Sequence, residues 1–195
     1  MNREAWLEKG VEQLNTLVFS PCGKSADDVR VSVGFPAGAR PHTREDGSIS
    51  GAIGQCWDNS VSAGGFNEIF ISPVVEDSVH ALDILAHEMV HAIVGTNAGH
   101  KGPFKRLAVE IGLTGKMTAT KPGPELTKTL ESIVADIGEY VHKKVTPEAK
   151  AKKKGSRLVK VECTDCDNIA RQALSTFDKY GLTCGTCDVP MVISS

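Results

Sequence analysis

The 195-residue chain has no long apolar run and no strong excess of charge of either sign, and it is poor in aromatic residues. No stretch approaches the length needed to cross a bilayer, so a membrane-spanning protein is excluded at this level. The opening MNREAWLEKGVEQL carries acidic residues and lacks an apolar signal core, which predicts a cytoplasmic protein without a membrane partner. A formal net charge of −2 with 41% hydrophobic residues describes a globular chain with enough length for one core and a small appendage. Tyrosine is scarce: only Tyr140 and Tyr180 are present, and neither is placed at a site by its neighbours.

What the chain does have is concentrated in residues 77–102, DSVHALDILAHEMVHAIVGTNAGHKG. Val79, Leu82, Ala86, Met89 and Ile93 recur at helical spacing, Asp77 or Ser78 can cap the start, and Gly95 can end the helix. Within it stands H-E-x-x-H: His87, Glu88 and His91. Residues four apart lie on one helix face, so His87 and His91 aim their rings at one point with Glu88 beside them. An imidazole pair in so apolar a wall is costly unless a cation engages it. A catalytic zinc takes three protein ligands and leaves one position open, and His100 is the expected third nitrogen. Glu110, 19 residues after His91, is the alternative, because a carboxylate at that distance can serve as a ligand. The expected chemistry is peptide hydrolysis by zinc-bound water that Glu88 deprotonates, the proton passing on to the leaving amine.

Six cysteines form a second pattern. Cys163, Cys166, Cys184 and Cys187 make two C-x-x-C pairs, expected to hold a structural zinc as a ribbon with no open position. So small a module is expected to depend on its metal for folding. Cys22 and Cys56 read as small buried hydrophobes.

In chain order, Trp6, Leu7, Val11, Leu14, Leu17 and Val18 predict an amphipathic opening helix. Val29, Val31, Val33 and Phe35 alternate as in a strand, residues 36–50 read as a long loop, and strands are expected at 52–57 and 68–72. An edge strand beside the metal helix would receive the substrate as an added strand. The order of elements assigns that role to Asn67, Glu68, Ile69, Phe70 and Ile71. Residues 53–56 are the alternative, and an ordinary internal strand is the plain reading. Pro103 opens a helix buried through Phe104, Leu107, Ala108 and Ile111; Pro124 opens another through Leu126, Leu130, Ile133, Ile137 and Val141. Both are expected to brace the metal helix.

Between residues 141 and 160 there are eight Lys or Arg and one Glu, so a basic linker joins two acidic modules. Lys150, Lys152, Lys153, Lys154 and Arg157 are candidate contacts to a DNA backbone; a solvated linker is the alternative. The expected division is residues 1–142, a linker 143–157, and a ribbon 158–195.

The run HEMVHAIVGTNAGHKGPFKRLAVEIGL resembles the active-site region of the SprT-like zinc metallopeptidases, which include the Spartan proteases. That family follows H-E-x-x-H with a variable loop and H-G-x-x-F; here His100, Lys101, Gly102, Pro103 and Phe104 carry one inserted residue after the histidine. The resemblance covers roughly residues 5–145, and many relatives add a zinc ribbon. It implies an α+β, zincin-like core with a small sheet packed on helices, one catalytic and one structural zinc, and a protein or peptide substrate. Spartan-type members are DNA-stimulated and degrade proteins crosslinked to DNA, whereas bacterial relatives are associated with transcription. Two rival functions stand beside this one. A non-catalytic, zinc-containing DNA-binding or repair adaptor would use only the ribbon and linker, but would not need Glu88. A cysteine protease built on Cys56 in GQCW lacks a placed partner histidine.

Overall fold

In the computed structural model, which describes residues 1–37, 41–44, 46, 49–147 and 158–194, the first element is α1 (Arg3–Leu14). Asn2 caps it, its side-chain oxygen accepting the Ala5 N–H at 2.8 Å. Trp6, Leu7 and Leu14 are buried as the periodicity predicts, but a π-helical turn at Asn15–Phe19 follows. The wider turn shifts the phase, so Phe19 is fully buried and Leu17 faces out.

β1 (Val29–Val33) precedes a short antiparallel pair, β2 (His42–Thr43) and β3 (Ile49–Ser50), and then β4 (Gly54–Trp57) and β5 (Asn67–Ile71). β1, β5 and β4 form one sheet in that order, with β1 parallel and β4 antiparallel to β5. Phe35 lies beyond β1 and is exposed. This order corrects the substrate-strand expectation. Asn67, Glu68, Ile69, Phe70 and Ile71 make up the central strand, whose two edges are both hydrogen-bonded, so none of them can align an incoming chain. β4 is the strand at the edge.

α2 (Ser78–Val94) packs against this sheet and against α1, α3 (Gly102–Glu110) and α4 (Pro124–Ile137). Asp77 caps α2, accepting the His80 N–H at 2.7 Å, and Gly95 ends it at φ +84°. Phe104, Leu107 and Ala108 of α3 are buried, as are Leu126, Leu130 and Ile133 of α4. α4 stops at Gly138, leaving Val141 outside the helix and exposed. Between α3 and α4 lies a hairpin that the sequence reading omitted, β6 (Leu113–Lys116) and β7 (Ala119–Pro122).

The chain divides into two compact units, Met1–Ala149 and Lys150–Ser195. Residues 143–145, assigned to the linker by composition, are bonded to the first unit. Val145 N–H donates to Pro73 O at 2.8 Å, Lys144 Nζ pairs with Glu76 at 2.7 Å, and Arg3 donates to Lys143 O at 2.6 Å. Lys150, Lys152, Lys153, Lys154 and Arg157 lie outside the described residues.

In the second unit β8 (Leu158–Cys163) is flanked by β9 (Ile169–Ala173) and β10 (Met191–Ile193), both antiparallel, with α5 (Leu174–Tyr180) after β9. Its buried apolar side chains are few: Val161, Cys163, Cys184 and Met191. Among the described residues the protein is thus α+β, with five α-helices and small sheets, and no helix is long and apolar enough to cross a membrane.

Candidate metal centres

α2 brings His87 and His91 to one face a turn apart. The 3-10 turn Thr96–Ala98 and Gly99, at φ +51° in a region few other residues adopt, return the chain so that His100 meets them. His100 Nε2 lies 3.2 Å from Nε2 of His87 and 3.2 Å from Nε2 of His91. Phe104, fully buried on α3, packs its ring against all three imidazoles, with centroids 4.9, 4.4 and 4.9 Å from His87, His91 and His100. Thr120 on β7 holds His87 from behind, its Oγ1 2.8 Å from Nδ1.

These contacts fit a cation better than they fit three unassisted rings. With Thr120 accepting from Nδ1–H, His87 Nε2 presents a lone pair. His100 Nε2 faces both neighbours and a single proton on it can bridge to only one of them, so one of the two 3.2 Å contacts is left without a hydrogen bond. Three nitrogens each about 2.05 Å from one tetrahedral ion would stand about 3.3 Å apart, close to the spacing found. Protons do not compete strongly for the site. Burial, and then the charges of the other two rings, lowers His87 to about 3; burial and His100 lower His91 to about 4, and burial lowers His100. The three histidines can therefore hold a metal ion.

Glu88, 6% exposed, lines the same cleft of about 860 Å³ as the three histidines. Burial raises its carboxyl to about 8, and the Cys56 backbone N–H offsets part of that. Gly54, Gln55 and Cys56 of β4 also line the cleft, and a Cβ at Gly54 would overlap Glu88 Oε1. Cys56 itself is a poor nucleophile, since burial and the charges of Glu88 and Asp58 push its thiol up to about 12. Glu110 is exposed on α3 and interacts with the Cys22 thiol, so it does not join the histidines. Asn67, Glu68, Ile69, Phe70 and Ile71 do not line the cleft.

The four ribbon cysteines also converge, their sulfurs lying within 4.8 Å of one another. Cys166 and Cys184 Sγ are 3.8 Å apart, the separation of two thiolates each about 2.3 Å from a tetrahedral zinc. The Asp165 N–H donates to Cys163 Sγ at 3.4 Å and the Asn168 amide to Cys184 Sγ at 3.5 Å. That amide, with the backbone N–H groups of Thr186 and Cys187, lowers the Cys184 thiol to about 6. This cluster too can hold a metal ion.

Sequence reasoning missed Thr120, Phe104 as the floor of the site, and the sheet order that puts β4 at the cleft. The β-branched Thr118 and Thr120 after Gly115 were the available signal for the hairpin. Compared with known proteins, the chain matches no family model, no curated protein and no solved structure, so its functional reading rests on these residues.

Proposed function

We propose that the chain is a zinc-dependent peptidase of the SprT-like kind, with a zincin-like core and a structural zinc ribbon. The observation that carries this reading is the convergence of His87, His91 and His100 on one point in a cleft that also contains a buried glutamate. The histidines would hold one zinc and the four cysteines a second. A zinc held by three neutral imidazoles supplies Lewis acidity, polarising a carbonyl and acidifying a water.

The chain's own residues perform the remaining work. Glu88 takes a proton from the attacking water onto its carboxylate and delivers it to the departing amine nitrogen as the C–N bond breaks. A carboxyl raised by burial is suited to holding that proton between the two transfers. β4 pairs only with β5 among the described strands, leaving its other edge to align an extended peptide by backbone hydrogen bonds. Ile49, Ile53, Val79 and Ile84 line the cleft and exclude water from the bound segment. The basic run at 150–157 would carry this activity to DNA-bound proteins, through contacts that weaken as salt rises.

The test is to incubate zinc-loaded protein with an unfolded protein and with a DNA-bound protein, each with and without DNA, beside Glu88→Gln. Wild type should cleave, and the variant should lose about 10²- to 10⁴-fold. Cleavage that persists in the variant refutes the mechanism. Equal rates with and without DNA remove the DNA role alone.

A further inference from the structure

One turn towards the N-terminus of α2 from His87, the cleft contains a charged group to which the peptidase reading gives no task. Asp83 lines the cleft with its side chain only 5% exposed, and its Oδ1 is buried without a hydrogen-bond partner. Its nearest basic neighbour is His80, whose Nδ1 is 3.6 Å from Oδ2, too far for a hydrogen bond. Asp77, also at the cleft, is engaged as the α2 cap, and Lys121 on β7 reaches the cleft without pairing to Asp83. A buried carboxylate oxygen without a donor costs free energy, so a side chain held in that state at a cavity wall calls for a partner from outside the chain.

We propose that Asp83 forms a subsite for a cationic side chain, lysine or arginine, of the bound polypeptide; this rests on the peptidase reading and specifies which substrates the cleft prefers. The distances agree. Asp83 and His87 are separated by four residues of helix, about 6 Å along the axis, and same-face side chains of an extended peptide repeat every 6.6–6.8 Å or so. A peptide lying along β4 with its scissile bond at the histidines therefore places a residue within about two positions of that bond over Asp83. Val79, Ile53 and Ile84 also line the cleft and can pack the methylene stem of a lysine while the ammonium meets the carboxylate. A norleucine of the same length would fill the space but leave the carboxylate unpaired, and a glutamate would be repelled.

Binding tests this without relying on turnover. Three unstructured Gly/Ser/Ala octapeptides, differing only in a central lysine, norleucine or glutamate, are titrated calorimetrically into the zinc-loaded full chain, as wild type and as Glu88→Gln. The lysine peptide should bind about 10- to 100-fold more tightly than the norleucine peptide, and the glutamate peptide most weakly. Asp83→Asn, of the same shape, should abolish the lysine preference while leaving norleucine binding unchanged. Equal affinity for the three peptides, or binding of none, overturns the subsite even if Asp83→Asn does not fold, and a preference that survives Asp83→Asn does so too. Cleavage is scored separately: a lysine preference in binding with no hydrolysis by wild type would defeat the peptidase reading and keep the cation site.

Discussion

Replacing Gly54 with alanine adds one methyl group where β4 crosses α2, and the response separates metal binding by the histidines from the proton transfer proposed for Glu88. An ideal Cβ at Gly54 overlaps Glu88 Oε1 and lies 2.6 Å from Ile84 Cγ2 and 3.0 Å from Glu88 Cγ. The contact with Ile84 is about 0.9 Å short of an ordinary carbon separation of about 3.5 Å. β4 resists withdrawal because it is hydrogen-bonded to β5 along its length, and Ile84 sits in the main core. Glu88 is the group that must yield. Overpacking of this kind costs about 1–3 kcal/mol, a fall in midpoint of roughly 3–10 °C for a unit of this size. A displacement of a catalytic group by about 1 Å costs on the order of 100-fold in rate. None of the three atoms nearest the new methyl belongs to a histidine, so zinc content and affinity at their site should stay at wild-type values. The assay pairs thermal melts and metal analysis with peptide hydrolysis. Wild-type hydrolysis and an unchanged midpoint in Gly54→Ala would show that the glutamate does not need the space the glycine leaves. Loss of zinc in parallel with activity would show that the effect is general collapse.

Four further outcomes follow from the same geometry. His100→Ala should weaken zinc binding at the histidine site by more than the 10- to 100-fold or so of an outer-shell change, whereas Glu110→Ala should leave it unaltered; competition with a chromophoric chelator reads both. Thr120→Val removes the oxygen held 2.8 Å from His87 Nδ1 and should lower zinc affinity about 10- to 100-fold with little change in far-UV dichroism. Metal-free protein should be most stable near pH 6.5. His87 and His91 titrate lower folded than unfolded, so their contribution is complete above an unfolded value of about 6.5 and is lost as pH falls towards about 3 for His87 and about 4 for His91. Glu88 titrates higher folded, at about 8, so stability also falls as pH rises from 6.5 to 8, and Glu88→Gln should flatten that limb. Both tryptophans, Trp6 and Trp57, belong to the first unit, so their fluorescence reports it alone, and an unchanged alkaline limb in the variant would contradict the assignment. Finally, chelation under reducing conditions should unfold residues 158–194, seen as collapse of their amide shift dispersion, because four small buried side chains cannot hold the sheet without metal.

The metal helix was legible because several independent signals coincide in a few residues. Asp77 caps it, Gly95 ends it, its apolar spacing is helical, and two histidines stand one turn apart. The ribbon cysteines were legible because C-x-x-C fixes how two thiolates face one ion. The edge strand beside α2 was misassigned because chain order does not give spatial order. β1 pairs in parallel with β5, and β4, which precedes β5 in the chain, takes the far side. One hint was present: NEIFI in β5 buries Ile69 and Ile71 completely and half-buries Phe70, as a central strand does, whereas GQCW in β4 offers little to bury. The hairpin carrying Thr120 was missed because only Leu113 of its eight strand residues is buried, so hydrophobic periodicity had almost nothing to register. Leu17 was misplaced because a π turn changes the repeat on which periodicity depends.

The single ring of Phe104 beneath all three imidazoles acts as a gauge. Because one rigid, fully enclosed side chain touches every donor, the donors cannot spread independently to suit a larger ion. The pocket should therefore sort cations by radius as well as by their liking for nitrogen: a calcium ion, which needs six or more oxygens at about 2.3–2.6 Å, meets both the wrong atoms and a floor that will not widen. Small tetrahedral ions meet neither obstacle, and shaving that floor to alanine should loosen the sorting before it loosens the fold of α2.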